Sequence, residues 1–179
     1  MPIYLIKDKA NPSQIEEMLS FDAMHDGLTG LANRVLFMDR LEHALEKVKR
    51  EPGLNYSVLF LDIDYFKSIN DQMGHNTGDL TLIELGNRLN KCVRSVDTLS
   101  RFGGDEFVIL LENTQQDNVT LSVSNRIISE LQKPFMISGK KILVTCSIGV
   151  VQGLQKYQSP EEVLRDVDIA MYTAKKNGK

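Results

Sequence analysis

Four carboxylates sit at two points of this 179-residue chain where acidic side chains are out of keeping with their neighbours. Asp105 and Glu106 follow Gly103-Gly104 and run straight into Phe107-Val108-Ile109-Leu110-Leu111, while Asp62 and Asp64 close the apolar run Val58-Leu59-Phe60-Leu61. A Gly-Gly pair supplies the positive φ angles of a tight turn, so Leu99 to Leu111 reads as a β-hairpin turning at Gly103-Gly104, with two acids at its tip. Strand alternation puts Asp62 and Asp64 on one side and Ile63 on the other. By itself, Gly-Gly-Asp-Glu is most simply a solvated acidic turn. The second cluster changes that reading, because Asp62, Asp105 and Glu106 can converge from neighbouring strands, and gathered carboxylates repel unless a cation lies between them. An all-oxygen ligand set favours magnesium, manganese or calcium over zinc, and magnesium keeps open positions for water and nucleotide phosphates.

The elements that must hold these groups are legible from periodicity. Asn33 is a good N-cap, and Phe37, Leu41, Ala44, Leu45 and Val48 recur at the spacing of a buried helix face. Pro52-Gly53 marks a turn into a strand over Tyr56 to Leu61. After Asp62 the pattern becomes a short helix from about Asp64, whose free N–H groups favour phosphate. A second helix runs from Asp79 to Arg94 with Leu82, Leu85, Leu89 and Cys92 along one stripe. Asn118 to Gln132 is helical, with Val123, Ile127 and Leu131 inward. Pro134 to Ile137 and Lys141 to Val151 read as strands around a Ser-Gly-Lys turn. Ser159-Pro160-Glu161-Glu162 opens a last helix whose buried face is Val163, Val167, Ala170, Met171 and Ala174.

Size and composition fit one domain with one good core: 42% of residues are hydrophobic. The net charge of −3 offers no basic footprint for nucleic acid, so a polyphosphate would meet its positive charge locally. Cys92 and Cys146 have neither metal-like nor disulfide-framework spacing and fit buried thiols of a reducing cytoplasm. No apolar stretch approaches the ~20 residues of a membrane span. The expectation is a soluble, cytoplasmic chain.

At Arg101-Phe102-Gly103-Gly104-Asp105-Glu106-Phe107 the sequence resembles the signature of the GGDEF family of diguanylate cyclases, which make cyclic di-GMP from two GTP. Asp26-Gly27-Leu28-Thr29-Gly30-Leu31-Ala32-Asn33-Arg34 is similar to the family's opening motif, with Ala32 where proline is usual. Asp62-Ile63-Asp64-Tyr65-Phe66-Lys67-Ser68-Ile69-Asn70-Asp71, followed by Gly74-His75 and Gly78-Asp79, resembles its central block. Ser147-Ile148-Gly149-Val150 and Tyr172-Thr173-Ala174-Lys175 resemble its closing elements, so the likeness runs from about Asp26 to the end of the chain.

Pattern alone supports only mixed α and β. The resemblance implies an α+β fold, a central, mostly antiparallel five-stranded sheet flanked by helices, similar to the palm of polymerases and class III nucleotide cyclases. It divides the chain into a linker segment over 1–25, the end of an upstream signalling region, and a cyclase domain over 26–179. It implies Mg2+, or Mn2+ in its place, two ions per site, held by Asp62, the Ile63 carbonyl, Asp105 and Glu106. Asp105, Glu106 and Lys67 would be catalytic. GTP would meet Asn70, His75, Asp79, Gly103, Gly104, Lys175 and Lys179; guanine presents two adjacent donors that one carboxylate accepts, and adenine does not. Lys179 stands where the family commonly has arginine, and lysine lacks the guanidinium fork. Arg94 and Asp97 match an inhibitory cyclic di-GMP site, although an ordinary local ion pair would explain the same spacing. One domain holds one GTP, so activity implies a homodimer. Two other readings stay open: a catalytically silent module binding GTP or cyclic di-GMP, and one half of a GGDEF–EAL phosphodiesterase.

Overall fold

The computed structural model describes residues 19, 21–51, 53–114 and 118–177; the linker segment up to residue 18 and Lys179 lie outside the described residues. Its centre is a four-stranded antiparallel sheet in the order β2-β3-β1-β6, made of β1 (Ser57–Ile63), β2 (Thr98–Gly103), β3 (Glu106–Leu111) and β6 (Cys146–Gln152). A separate two-stranded hairpin holds β4 (Phe135–Ile137) and β5 (Lys140–Ile142). The main sheet therefore has four strands rather than five. The expected strand over residues 141–151 is two: pairing lapses at Leu143–Thr145, where Leu143 is 71% exposed, and resumes beside β1 at Cys146.

Strand β1 is buried along all seven residues because the sheet is covered on both faces. Leu59, Leu61 and Ile63 join Phe107, Ile109 and Leu111 in one core, under α3 (His75–Cys92) and α4 (Val119–Leu131). Val58 and Phe60 join Val108, Leu110 and Val151 in the other, under α1 (Arg34–Arg50) and α5 (Pro160–Asn177). Asp62 falls on this second face and lies within the strand rather than after it. The short helix α2 (Phe66–Met73) starts two residues later than its pattern suggests, because Tyr65 before it takes a left-handed φ of 58°. Its neighbour α3 starts four residues earlier than expected, which puts Asp79 inside the helix and not at its cap.

The face expected of α1 is the face it buries, and Asn33 caps it: Oδ1 accepts from the N–H groups of Val35 (2.9 Å) and Leu36 (3.1 Å). Replacing Asn33 with alanine leaves both donors without that partner. A loss of about 1 kcal/mol in urea unfolding is expected, with the denaturant slope unchanged.

Candidate active site

The carboxylate cluster is built by register. Glu106 opens β3 directly opposite Asp62 on β1, and on β1's other side Asp62 is paired with Ser147. The hairpin turn is displaced by one residue from its sequence reading: Gly103 pairs with Glu106, a bulge lies between Arg101 and Gly103, and the two turn residues are Gly104 and Asp105. Gly103 (φ 139°) and Gly104 (φ 51°) both take backbone angles that other residues avoid, so the glycines make the bulge and the turn possible. Asp105, the second turn residue, lies close enough to Asp62 to feel its charge. Its carbonyl accepts from the Ile63 N–H at 3.3 Å, tying the turn to β1.

Burial raises the pKa of Asp105, and the negative Asp62 raises it further; Glu106 is raised by burial, then by Asp62 and Asp105. These shifts are the signature of carboxylates that feel one another. Asp64 has a different place: it accepts from Thr145 Oγ1 at 2.9 Å and Ser147 Oγ at 2.8 Å, which anchors the β1–α2 loop to β6. Glu106 also borders a cleft of about 310 Å3 lined by Arg34, Phe102 and Asp168.

Lys175 reaches the cluster from α5. That helix lies against β6 at Gly149, where a Cβ would stand 2.2 Å from the Val167 carbonyl oxygen and 2.3 Å from the Met171 nitrogen, so only glycine permits the approach. From Met171 to Lys175 a helix advances about 6 Å, and from Gly149 to Ser147 a strand covers about 6.6 Å. Lys175 therefore arrives level with Ser147 and its partner Asp62, and its Nζ donates to Asp62 Oδ1. Burial works to lower the Lys175 pKa, but the hydrogen bond and charge of Asp62, with Asp105 and Asp64 behind it, outweigh burial and raise it.

The acids and the Ile63 carbonyl are hard oxygen donors, which fits a magnesium-type ion and not zinc. Among the described residues no three His, Cys, Asp or Glu side chains are already gathered into an ion-holding group. The fit is thus one of donor chemistry and mutual repulsion.

Arg101 is the functional candidate that pattern reading passed over. Its Nη1 donates to both oxygens of Asp26 at 2.9 Å, and its Nε and Nη2 donate to the Gly104 carbonyl at 3.1 and 2.8 Å. Asp26 also accepts from the Thr29 N–H and Oγ1, so one guanidinium bolts the 26–33 loop to the Gly104-Asp105 turn. The signal was present only as two opposite charges inside two motifs, 75 residues apart.

Of the expected GTP contacts, Asn70 lies on α2 and His75 and Asp79 on α3, with the expected catalytic Lys67 beside them. Lys67 is exposed on the first turn of α2, His75 is the exposed first residue of α3, and Asp79 is exposed one residue beyond buried Gly78. Asn70 packs against Gly78 so closely that an added Cβ would lie 1.9 Å from Asn70 Oδ1. Gly78→Ala must push the Asn70 amide aside. If Asn70 reads guanine, GTP affinity measured by calorimetry falls about tenfold, with the melting temperature lowered by only a few degrees.

Arg94 and Asp97 are joined to each other. Asp97 accepts from the Arg94 N–H, Nε and Nη2 (2.8, 3.3 and 3.0 Å) and from the Glu112 N–H at 3.1 Å, and its side chain is fully buried. Arg94 remains half exposed, and its Nη2 also holds the Glu112 carbonyl. The six residues of β2 put this pair about 20 Å from the Gly104-Asp105 turn, at the opposite end of the strand.

Fold and site together define an antiparallel palm-like domain that presents acids and one lysine at the end of its sheet. Residues 23–179 match the family described as "Diguanylate cyclase, GGDEF domain". The chain belongs to this family. It is 39% identical over 157 residues to the bifunctional diguanylate cyclase/cyclic di-GMP phosphodiesterase MucR of Pseudomonas aeruginosa, covering 88% of this chain and 23% of MucR. It is 36% identical over 162 residues to diguanylate cyclase TpbB of the same organism, covering 90% of this chain and 37% of TpbB. The solved GGDEF domain of P. aeruginosa TpbB superposes with a TM-score of 0.82 at 36% identity, covering 87% of this chain and 90% of that one. The coiled coil and GGDEF domain of Caulobacter crescentus DgcB, solved with c-di-GMP, gives 0.85 at 27% identity, covering 93% and 88%. The chain thus spans well under half the length of these curated relatives. Among the described residues no helix is long and apolar enough to cross a membrane.

Proposed function

We propose that this domain condenses two GTP into cyclic di-GMP with release of two pyrophosphates. The observation that carries the reading is the meeting of Asp62, Asp105, Glu106 and Lys175 at one end of the sheet, with Asn70 and Asp79 on the helices that follow β1. When bound, two Mg2+ or Mn2+ ions per site, held by Asp62, the Ile63 carbonyl, Asp105 and Glu106, would offset triphosphate charge and polarise the α-phosphate. In each half-reaction a 3′-oxygen forms a bond to the α-phosphorus of the other GTP, the bond to pyrophosphate breaks, and the hydroxyl proton leaves. Asp105, with its raised pKa, is suited to receive that proton. Lys175 and Lys67, joined by Lys179, neutralise phosphate oxygens, and His75 borders the nucleotide. Gly103 and Gly104 let the turn backbone approach it. Asn70 and Asp79 select guanine.

One domain supplies one half-site, so two copies must face each other; residues 1–25 would belong to a linker from an upstream sensory region that arranges them. Arg94, steadied by Asp97, would bind cyclic di-GMP as an inhibitor away from the active site. Chromatography of products from GTP and Mg2+ over a range of protein concentrations tests the reading. Cyclic di-GMP formed at a rate per protomer that rises with concentration is the expected result. GTP binding with no product at any concentration would replace the cyclase by a nucleotide-binding module. MucR is named for both synthesis and hydrolysis of cyclic di-GMP, which favours as second reading a GGDEF half serving a phosphodiesterase; addition of a phosphodiesterase domain in cis, with GTP altering its hydrolysis rate, would distinguish it.

A further inference from the structure

The contact between Lys175 and Asp62 has a consequence for the order in which ligands bind. Asp62 is 12% exposed and Lys175 25% exposed, so the pair is largely removed from water, where charges act on each other most strongly. The same ammonium also faces Asp105 and Asp64. Two neighbouring cations act on the cluster from its edges while holding other partners: Arg101 donates to Asp26 and Gly104, and Arg34, near Glu106, lies over the Phe102 ring at 5.3 Å. Lys175 is held in this position by the helix–strand approach at Gly149 and not by a flexible loop.

We propose that Lys175 is a built-in counter-cation that competes with a divalent metal for Asp62, so that the cluster takes metal well only together with a triphosphate. The inference rests on the proposed nucleotide site. A divalent ion joining the cluster while the ammonium stays must bear repulsion between two cations sharing one carboxylate. A triphosphate carries more negative charge than one divalent ion cancels. It offers the ammonium new oxygens, draws it off Asp62 and frees that ligand for the metal. The lysine thereby couples the two ligands in both directions, as linkage requires.

The test needs no turnover. Mn2+ binding is followed by loss of the free-ion paramagnetic resonance signal, without nucleotide, for wild type, Lys175→Met, Lys175→Gln and Lys175→Arg, each checked by thermal melting. Methionine and glutamine, both without charge, are expected to tighten Mn2+ binding about tenfold, and arginine to stay within about threefold of wild type. Adding Asp62→Asn to Lys175→Met should abolish the gain. With a non-hydrolysable GTP analogue present, wild type should bind Mn2+ at least tenfold more tightly than alone. Equal or weaker Mn2+ binding by both uncharged variants overturns the proposal. So does tighter binding that survives Asp62→Asn. Failure of the cyclase reading would appear separately, as absent cyclic di-GMP formation by wild type, with these metal affinities unaffected.

Discussion

Asp105→Asn is expected to lower cyclic di-GMP formation by about 10³-fold or more while making the protein more stable. The two effects have one cause. In the folded chain burial and the charge of Asp62 raise the Asp105 pKa, so the folded state binds its proton more tightly than the unfolded one does. Stability from such a group is fully present below the unfolded pKa, near about 4, and is lost as pH rises through the folded value. At neutral pH and above, wild type therefore carries an ionised carboxylate that the fold disfavours, and asparagine does not. Because the group keeps some contact with water, the gain is small, about 1 kcal/mol or a rise of about 2–4 °C in melting temperature. Metal-free calorimetry near about pH 8 and about pH 4 should find the gain at the first and little of it at the second. Turnover within tenfold of wild type would remove Asp105 from the reaction. A melting temperature lowered near pH 8 would mean that its charge is satisfied in the fold.

The parts of the fold that could be read from sequence are those where local pattern and tertiary demand agree. Helix α1 buries the five residues its spacing picks out, and Asn33 caps it as its type suggests. Strand β1 was visible as an apolar run, but which of its residues face α1 and α5 was not, since burial on both faces erases alternation. Pairing partners decided the rest. Leu143, Val144 and Thr145 have the same strand propensity as their neighbours, yet the chain there must leave β5 and rejoin the sheet at β1, and one expected strand becomes two. The turn moved by one residue because a bulge, which no propensity encodes, inserted itself before Gly103. In the site, Asp62, Asp105 and Glu106 follow from residue type and strand geometry. No local pattern marks Lys175, whose place depends on the close approach of α5 to β6 at Gly149. Asp26 and Arg101 are not legible as partners in the sequence, because an ion pair between distant segments leaves no trace in either one.

That pair yields the other large effect. Arg101→Ala leaves Asp26, whose side chain is 18% exposed, without its counter-charge and the Gly104 carbonyl without two donors. Breaking a largely buried pair from one side costs about 3 kcal/mol, far more than the pair itself contributes. Burial pushes the Asp26 carboxyl up, and hydrogen bonds from Thr29 and Arg101 outweigh it and hold it below the usual range. Its contribution is therefore present above the unfolded pKa and lost as pH falls through the folded one, so the variant's deficit should shrink in acid. Turnover should drop at least tenfold, since Asp105 follows Gly104 directly and a small misplacement of a reacting group is expensive. Arg101→Lys should rescue little, because one ammonium cannot hold Asp26 and Gly104 together. A double-mutant cycle with Asp26→Ala separates positioning from bulk destabilisation: coupling of at least about 1 kcal/mol is expected in stability and a matching non-additivity in kcat. Additive losses, or full activity in Arg101→Lys, would mean that the 26–33 loop and the Gly104-Asp105 turn only touch.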